Sequence, residues 1–381
     1  MKRRKSRLSL FILFAYVLSM FSIPAAEAAP SISAQAAAVI DVESGRVLYE
    51  KQGNAKMRVA SLTKIMTAIV AVEEGRLDEV VTTPDHAVGT EGSSIYLRKG
   101  EQLTLEQLLY GLMLRSGNDA AVTIAEHIGG SIEGFARLMN EKAEYLGLRQ
   151  THFTNPHGLD DSNEHYSTAL EMAKISAYAL KNEDFRRIVS TKVIKIPQHG
   201  EKWDRKLVNK NKMLNLYEGA DGVKTGYTKL AKRCLVSSAT KEGRQIAVVT
   251  LNAPNDWDDH ARLLDYGFQH FSRTQLLGEK EMVDADKGLM SMNAFYYPLT
   301  EGELNQIRKQ VVMEEGYREM LPGGVAGYLH IYLGDQQIGR IGLVSEGEEK
   351  STAGSGIEGT PSDDFDFLSI FKSLIWGLVN G

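Results

Sequence analysis

The sequence predicts an α+β fold in which an antiparallel sheet is built from the two ends of the main region and helices fill its middle. Three observations predict it. Two apolar runs, Ala36 to Val42 and Arg46 to Glu50, flank the turn Glu43-Ser44-Gly45 near the start. Helical stripes then run from Ser61 to Gly147. Strand-like runs return between Lys224 and Leu251.

Residues 1–28 stand outside that fold. Lys2, Arg3, Arg4, Lys5 and Arg7 precede an apolar run from Leu8 to Ile23, and Ala26-Glu27-Ala28 reads as a small-x-small cleavage site, so a signal peptide is expected. The competing reading is an uncut membrane span, but the run is short for a span and ends at a cleavage triplet. Export places the mature chain outside the cytoplasmic membrane. Once five basic residues and one acid leave with the leader, the formal charge of −5 becomes −9. That balance argues against nucleic acid as a partner, and it means an anionic substrate must be held by local cations. A single cysteine, Cys234, allows no internal disulfide, so a chain of 381 residues, 43% of them hydrophobic, must draw its stability from its core.

The helices come next. Ser61 opens a stripe of Leu62, Ile65, Met66, Ile69 and Val70 that ends at Gly75, which puts Ser61 at a helix head and Lys64 one turn on, on the same face. Thr104 and Gln107 form a capping box before Leu105, Leu108, Leu109, Leu112 and Met113, and this helix stops near Arg115. Asp119 is expected to cap the following helix, which runs to Gly129-Gly130, leaving Ser116-Gly117-Asn118 on the short connection. Phe135, Leu138, Met139 and Leu146 mark another helix that ends at Gly147. After a polar stretch, Lys224 to Thr228, Cys234 to Ala239 and Ile246 to Leu251 read as strands, with a turn at Lys241-Glu242-Gly243, and a helix over Asp259 to Phe271 closes the region.

Three short motifs on these elements carry chemistry: Ser61-Leu62-Thr63-Lys64, Ser116-Gly117-Asn118 and Lys224-Thr225-Gly226. An isolated Ser-x-x-Lys is most often a capped helix with a solvated lysine. The pattern also recurs at Ser238/Lys241 and Ser369/Lys372, and Ser-x-Asn recurs at Ser291/Asn293. Placement separates them. Ser238 and Lys241 fall at a strand end, where residues three apart point to opposite faces, and Ser369 lies in the C-terminal tail. Only Ser61 and Lys64 share a face at the head of a buried helix. A serine hydroxyl needs a base before it can attack, and no Gly-x-Ser-x-Gly elbow is present. Lys64 can be that base only when neutral, and burial, the helix N-terminus and a second cation such as Lys224 all push in that direction.

The three motifs in this order are the signature shared by class A β-lactamases and penicillin-binding proteins. Their settings, Ala60 to Thr67, Leu114 to Ala121 and Asp221 to Thr228, together with Asn155-Pro156-His157-Gly158-Leu159 and His165-Tyr166-Ser167, closely resemble the low-molecular-mass penicillin-binding proteins that are D-alanyl-D-alanine carboxypeptidases. The likeness covers about Ala36 to Phe271 and, more loosely, the remainder. Tyr227 to Arg233 and Asn255 to His260 look most like the sporulation-associated members from endospore-forming bacilli.

The resemblance implies a penicillin-binding/β-lactamase-like catalytic domain over 29–275, peptidoglycan stem peptides and β-lactam antibiotics as partners, and no cofactor or metal. It implies that Ser61 attacks the carbonyl of the terminal D-Ala-D-Ala bond with Lys64 as general base. Ser116 then relays a proton toward the leaving amine, and Asn118 positions Lys64 and bonds the substrate amide. Lys224 and Thr225 hold the substrate carboxylate, Gly226 lets substrate backbone lie close, and the oxyanion is met by the N–H groups of Ser61 and Tyr227. One departure is visible: some members carry an arginine after the last sheet strand, where this chain has Asp256-Trp257-Asp258-Asp259. That leaves Arg233 and Arg262 as candidates to assist Lys224. The resemblance also implies a place on the outer face of the cytoplasmic membrane and, for the sporulation type, at the forespore outer membrane and cortex.

Two alternatives stay open beside the carboxypeptidase. A β-lactamase of class A would carry a Glu-x-x-x-Asn element between the second and third motifs, and none is present there. A β-lactam-acylated sensor or wall-binding protein would share the acyl-serine without turning over peptide. A zinc enzyme is disfavoured, since His152, His157 and His165 lack a His-Glu-x-x-His pattern or a cysteine pair and read as ordinary loop histidines.

Beyond Phe271 a small β-rich domain over 276–345 is expected, with Tyr328 to Leu333 and Gln337 to Val344 as a hairpin around Gly334-Asp335, and with breaks at Pro298 and Pro322-Gly323-Gly324. A spacer without chemistry is its simplest role. Residues 346–362, rich in Gly, Ser, Thr and Glu, read as a linker. Residues 363–381 place Phe367, Leu368, Phe371, Leu374, Ile375 and Leu378 at helical spacing behind Asp363, Asp364 and Asp366. Interrupted by Lys372, this amphipathic helix suits the membrane interface better than a crossing; the alternative is packing on the protein's own surface.

Overall fold

The computed structural model describes residues 29–314 and 324–345, and the architecture below belongs to the unit that begins at Ile32. The expected leader (1–28), linker (346–362) and terminal helix (363–381), with the Ser369/Lys372 pair, lie outside the described residues.

Strands β1 (Ala36–Asp41) and β2 (Val47–Lys51) form the expected hairpin. The carboxylate of Asp41 fastens its turn by accepting the backbone N–H (2.9 Å) and hydroxyl (2.6 Å) of Ser44. A single 3-10 turn, Ala60–Leu62, leads into helix α1 (Thr63–Glu74). Every residue of α1 from Thr63 to Ala71 is buried, so this helix runs through the centre and its polar groups must find partners inside. The short pair β3 (Val80–Thr82) and β4 (Gln102–Thr104) brackets a long loop. Helices α2 (Leu105–Arg115), α3 (Asn118–Gly129), α4 (Ile132–Tyr145), α5 (Ala169–Ala179) and α6 (Glu183–Ser190) follow.

The Thr104/Gln107 capping box is formed in both directions. Helices α5 and α6 occupy the stretch that looks merely polar in sequence. They start on well-formed caps, Thr168 accepting from Glu171 N–H and Asn182 from Phe185 N–H, but their apolar residues are too sparse to stand out as a stripe.

A hairpin of β5 (Val193–Ile196) and β6 (Arg205–Val208) and a short helix α7 (Met213–Leu216) precede β7 (Ala220–Thr228), β8 (Lys232–Lys241) and β9 (Arg244–Leu251). Helix α8 (Asp256–His270) begins earlier than the expected Asp259. The main sheet is antiparallel in the order β2-β1-β9-β8-β7, built from both ends as predicted, with β7 at one edge. Side-chain alternation divides its two faces. Ala36, Ala38, Ile40, Val236 and Val249 join the helical core around α1, whereas Ala37, Val39, Leu235 and Val248 pack with Leu263 and Leu264 of α8.

Strands β10 (Ser272–Leu277), β11 (Met282–Asp284), β12 (Leu289–Ser291), β13 (Phe295–Leu299), β14 (Ile307–Met313), β15 (Val325–Leu333) and β16 (Gln336–Ser345) make a β10-β13 pair and a five-stranded sheet ordered β11-β12-β16-β15-β14. They enclose a separate apolar core that includes Leu277, Leu289, Leu329, Ile331 and Leu343. The expected hairpin is β15 and β16. The other strands are short or lack clean alternation, which hides them in sequence. Arg46 ties this part to the main sheet. Its guanidinium donates to the carboxylate of Glu303 (2.9 and 2.5 Å) and to Pro298 O, and it lies over the rings of Phe271 and Tyr297.

His260 joins α8 to the sheet from within. Wholly buried, its ring bridges the hydroxyls of Ser237 (2.5 Å) and Thr250 (2.9 Å), and burial holds its pKa down at about 3. An unfolded histidine takes up a proton near pH 6.5, so below that pH the unfolded state binds more protons and stability falls with pH toward about 3. In urea titrations at pH 7 and pH 5 we expect a clear loss at the lower pH. His260→Gln should reduce the dependence of ΔG on pH by about one proton, equivalent to about 1.4 kcal/mol per pH unit at most.

Candidate active site

Ser61 lies in the 3-10 turn, two residues before the chain becomes α-helical, and Lys64 occupies the first turn of α1 with no exposed surface. The Lys64 amine reaches three oxygens: His157 O at 2.6 Å, Asn118 Oδ1 at 2.7 Å and Ser61 Oγ at 3.2 Å. A neutral amine has two N–H bonds and one lone pair. In the neutral form the two shorter contacts would take the N–H bonds, which would leave the lone pair for the serine hydroxyl. Burial, followed by the positive charges of Lys224 and Lys210, pushes the Lys64 pKa well below its ordinary value, which favours that neutral form. The two side chains that the sequence places on one face, Ser61 and Lys64, thus lie within hydrogen-bond distance of each other.

The second motif closes over this pair. Ser116 ends α2 in a left-handed conformation (φ 63°), which turns the chain sharply into Asn118, the first residue of α3. Its hydroxyl has no hydrogen-bond partner among the described residues and is nearly buried, so it is uncommitted. Both ends of the Asn118 amide are engaged: Oδ1 accepts from Lys64 and Nδ2 donates to Glu91 O.

Asp119 does not cap α3 from outside as expected. It sits within the first turn, and its carboxylate accepts from Ser94 Oγ (2.6 Å) and from the N–H groups of Ile95 (3.1 Å) and Leu97 (3.0 Å). These donors lie in a loop whose backbone has no ladder to join, so the buried carboxylate is drawn to them. The loop is thereby fixed around Asn118, whose own N–H donates to Ser93 O.

The third motif forms the opposite wall. Lys224 on edge strand β7 is buried, its amine donates to Thr225 O (2.8 Å), and burial together with the nearby Lys210 lowers its pKa to about 7. Gly226 lies directly against the nucleophile turn. A Cβ there would stand 3.2 Å from Ser61 N and 3.3 Å from Val59 O, so the close approach that requires glycine is to Ser61's own backbone. Tyr227 follows with its side chain 65% exposed.

Lys210 is missing from the sequence reading, because a lysine in a polar stretch carries no pattern. It donates to Ser93 Oγ (2.9 Å) from just beyond β6, and its charge acts on both lysines of the site. Arg233, a candidate for holding the carboxylate, is committed to Asp256 (2.6 Å) and faces the Trp257 ring.

The other motif copies are committed elsewhere. Ser238 donates to Asp221, Lys241 donates to Tyr217, and Ser291 donates to Gly278 O. His152, His157 and His165 do not converge, and among the described residues no group of three or more His, Cys, Asp or Glu side chains could hold a metal ion.

A buried lysine within hydrogen-bond reach of a serine, a second buried lysine and an edge strand beside them fit an acyl-transferring serine enzyme. The comparisons place it within that class. A family model described as D-alanyl-D-alanine carboxypeptidase matches residues 23–255. The D-alanyl-D-alanine carboxypeptidase DacF of Bacillus subtilis is 33% identical over 335 residues, 83% of this chain and 82% of that one. The D-alanyl-D-alanine carboxypeptidase DacC of Escherichia coli is 33% identical over 68% of this chain and 67% of its own. The solved structure of penicillin binding protein 5 from Haemophilus influenzae superposes with a TM-score of 0.69 at 28% identity, covering 83% of this chain and 97% of that one. The chain belongs to the D-alanyl-D-alanine carboxypeptidase family and is a serine-type carboxypeptidase.

The electrostatics predict a pH profile. With Lys64 as the expected base, acylation requires its neutral form, so the rate should fall as pH drops through the Lys64 pKa, which Lys210 helps to hold down. Lys210→Met should move the acidic limb to higher pH. Rates of covalent labelling by a penicillin between pH 5 and 9 test this, and an unmoved limb would show that the Lys210 charge is screened from the site.

Proposed function

We propose that this carboxypeptidase removes the terminal D-alanine from peptidoglycan stem pentapeptides through an acyl-Ser61 intermediate, and that β-lactams acylate the same serine. The observation that carries this reading is the placement of Lys64: three oxygens around one buried amine, with Ser61 Oγ at 3.2 Å.

In this scheme Lys64 takes the Ser61 proton as Oγ attacks the penultimate carbonyl, and the oxyanion is met by the N–H groups of Ser61 and Tyr227. Ser116, whose hydroxyl is uncommitted, relays a proton to the departing D-alanine amine. Lys224 and Thr225 hold the terminal carboxylate, with the Lys210 charge reinforcing the anion-binding site in place of an arginine. Water then cleaves the ester and restores the serine. Asn118 acts chiefly by fixing Lys64, since both ends of its amide are engaged within the protein.

The chain works outside the cytoplasmic membrane after loss of residues 1–28, held at the outer face of that membrane by residues 363–381. Support comes from the leader's charge and cleavage pattern and from the helical spacing of apolar residues behind an acidic head. A role in spore cortex peptidoglycan rests on the likeness of Tyr227 to Arg233 and Asn255 to His260 to the sporulation-associated members.

With a defined pentapeptide muropeptide, the wild type should release D-alanine and Ser61→Ala should lower the rate by about 10³-fold or more. Mass spectrometry after penicillin treatment should place the adduct on Ser61. An adduct there without D-alanine release would mark an acylated sensor instead. Deleting 363–381 should move the mature protein from the membrane fraction to the soluble fraction; unchanged membrane binding would refute the anchor.

A further inference from the structure

We propose that His165 is a positioning residue that sets the oxyanion-binding N–H of Ser61 from behind, acting through Thr63 and the Ala60–Ser61 peptide. This rests on the acyl-Ser61 reading above.

The hydrogen bonds fix the direction of the relay. Thr63 Oγ1 lies 2.9 Å from Ala60 O, and a carbonyl can only accept, so the threonine hydroxyl donates there. Its second contact, to His165 Nε2 at 2.8 Å, must then have the histidine as donor. Nδ1 of the same ring faces the N–H of Thr154 at 3.1 Å, so it must accept. His165 is therefore a neutral imidazole in a single tautomer, and both it and Thr63 are buried. Phe153 packs edge-on against the ring at 5.7 Å and fixes its plane.

The far end of this chain is the Ala60 carbonyl. A trans peptide is planar, so the C=O of Ala60 and the N–H of Ser61 point in opposite directions from one rigid unit. Orienting that oxygen orients that hydrogen. The unit needs holding, because Ala60 has a left-handed backbone (φ 49°) with no glycine to ease it. On its carbonyl side sits Gly158, itself at φ 81°, where a Cβ would collide with Ala60 O. On its N–H side sits Gly226 of β7. The loop that supplies His165 and Gly158 also supplies His157 O to Lys64 and Pro156 O to Thr67 Oγ1 (2.7 Å). Base and oxyanion donor thus share one support, which His165 locks on the donor side.

The test compares His165→Ala, His165→Gln, Thr63→Val and Thr63→Ser in the full mature chain, reading D-alanine release and the rate of penicillin acylation. Loss of one oxyanion donor costs about 10²–10³-fold in kcat, and misdirecting one should cost somewhat less. We expect His165→Ala and Thr63→Val each to lower kcat and the acylation rate by about 10- to 100-fold with KM changed by less than about twofold. His165→Gln, which keeps an N–H near the Nε2 position, and Thr63→Ser, which keeps the hydroxyl, should recover most of the rate. The Thr63→Val/His165→Ala double variant should be no slower than either single one. Wild-type acylation by Thr63→Val, or additive losses in the double variant, would overturn the proposal, even where His165→Ala lowers Tm. Should the wild type be acylated by penicillin yet release no D-alanine, the carboxypeptidase reading fails while the acylation arm still decides the role of His165.

Discussion

The fold is organised around one amine that has left water. Lys64 sits in a helix whose first nine residues are all buried, and an unpaired ammonium there would be prohibitively costly. What makes the position tolerable is a set of polar partners: the Ser61 turn one helical turn away and, from distant parts of the chain, the head of α3 and the His157 carbonyl. Each of those parts is in turn anchored. Asp119 gathers the 93–97 loop around Asn118, and Asn155 holds the backbone of His157 and Gly158 by accepting both N–H groups. The site is rigid because its base needs it to be.

The same burial places two cations near each other with opposite needs. In the proposed scheme Lys64 must be neutral to receive a proton, whereas Lys224 must be charged to attract a carboxylate. Their environments differ in the right sense. Lys64 is wholly buried and feels the charges of both Lys224 and Lys210, while Lys224 has its pKa lowered only to about 7, where an arriving anion would favour its protonated form.

How much of this is legible in sequence depends on whether a residue sits in a repeating pattern. Ser61, Lys64 and the three-motif order are readable because helix periodicity and capping place them on one face, and the same reasoning discards Ser238. The sheet is readable because β1 and β9 are apolar runs and turn signals mark the hairpins that join β2 and β8 to them. Asp119 is misread because a carboxylate beside a helix start normally caps it, and only the three-dimensional loop shows better donors. Lys210 and His165 are invisible as functional residues, since the partners that matter lie across a long stretch of chain. Gly226 is recognisable from its motif, but for a different reason: the backbone it admits is that of Ser61.

Strand β7 also bears on how the molecule avoids its own kind. A sheet edge left bare to receive an extended peptide is equally open to the edge of another copy, and proteins commonly guard such edges with proline, a bulge or an inward-facing charge. Here the register slips between Ala220 and Gly222, and the strand carries Lys224 turned inward, a charge that an incoming strand of the same sequence would have to face without a partner. A peptide ending in a carboxylate brings its own counter-charge. Lys224, the residue proposed to hold the substrate carboxylate, would thus also guard this edge against self-association.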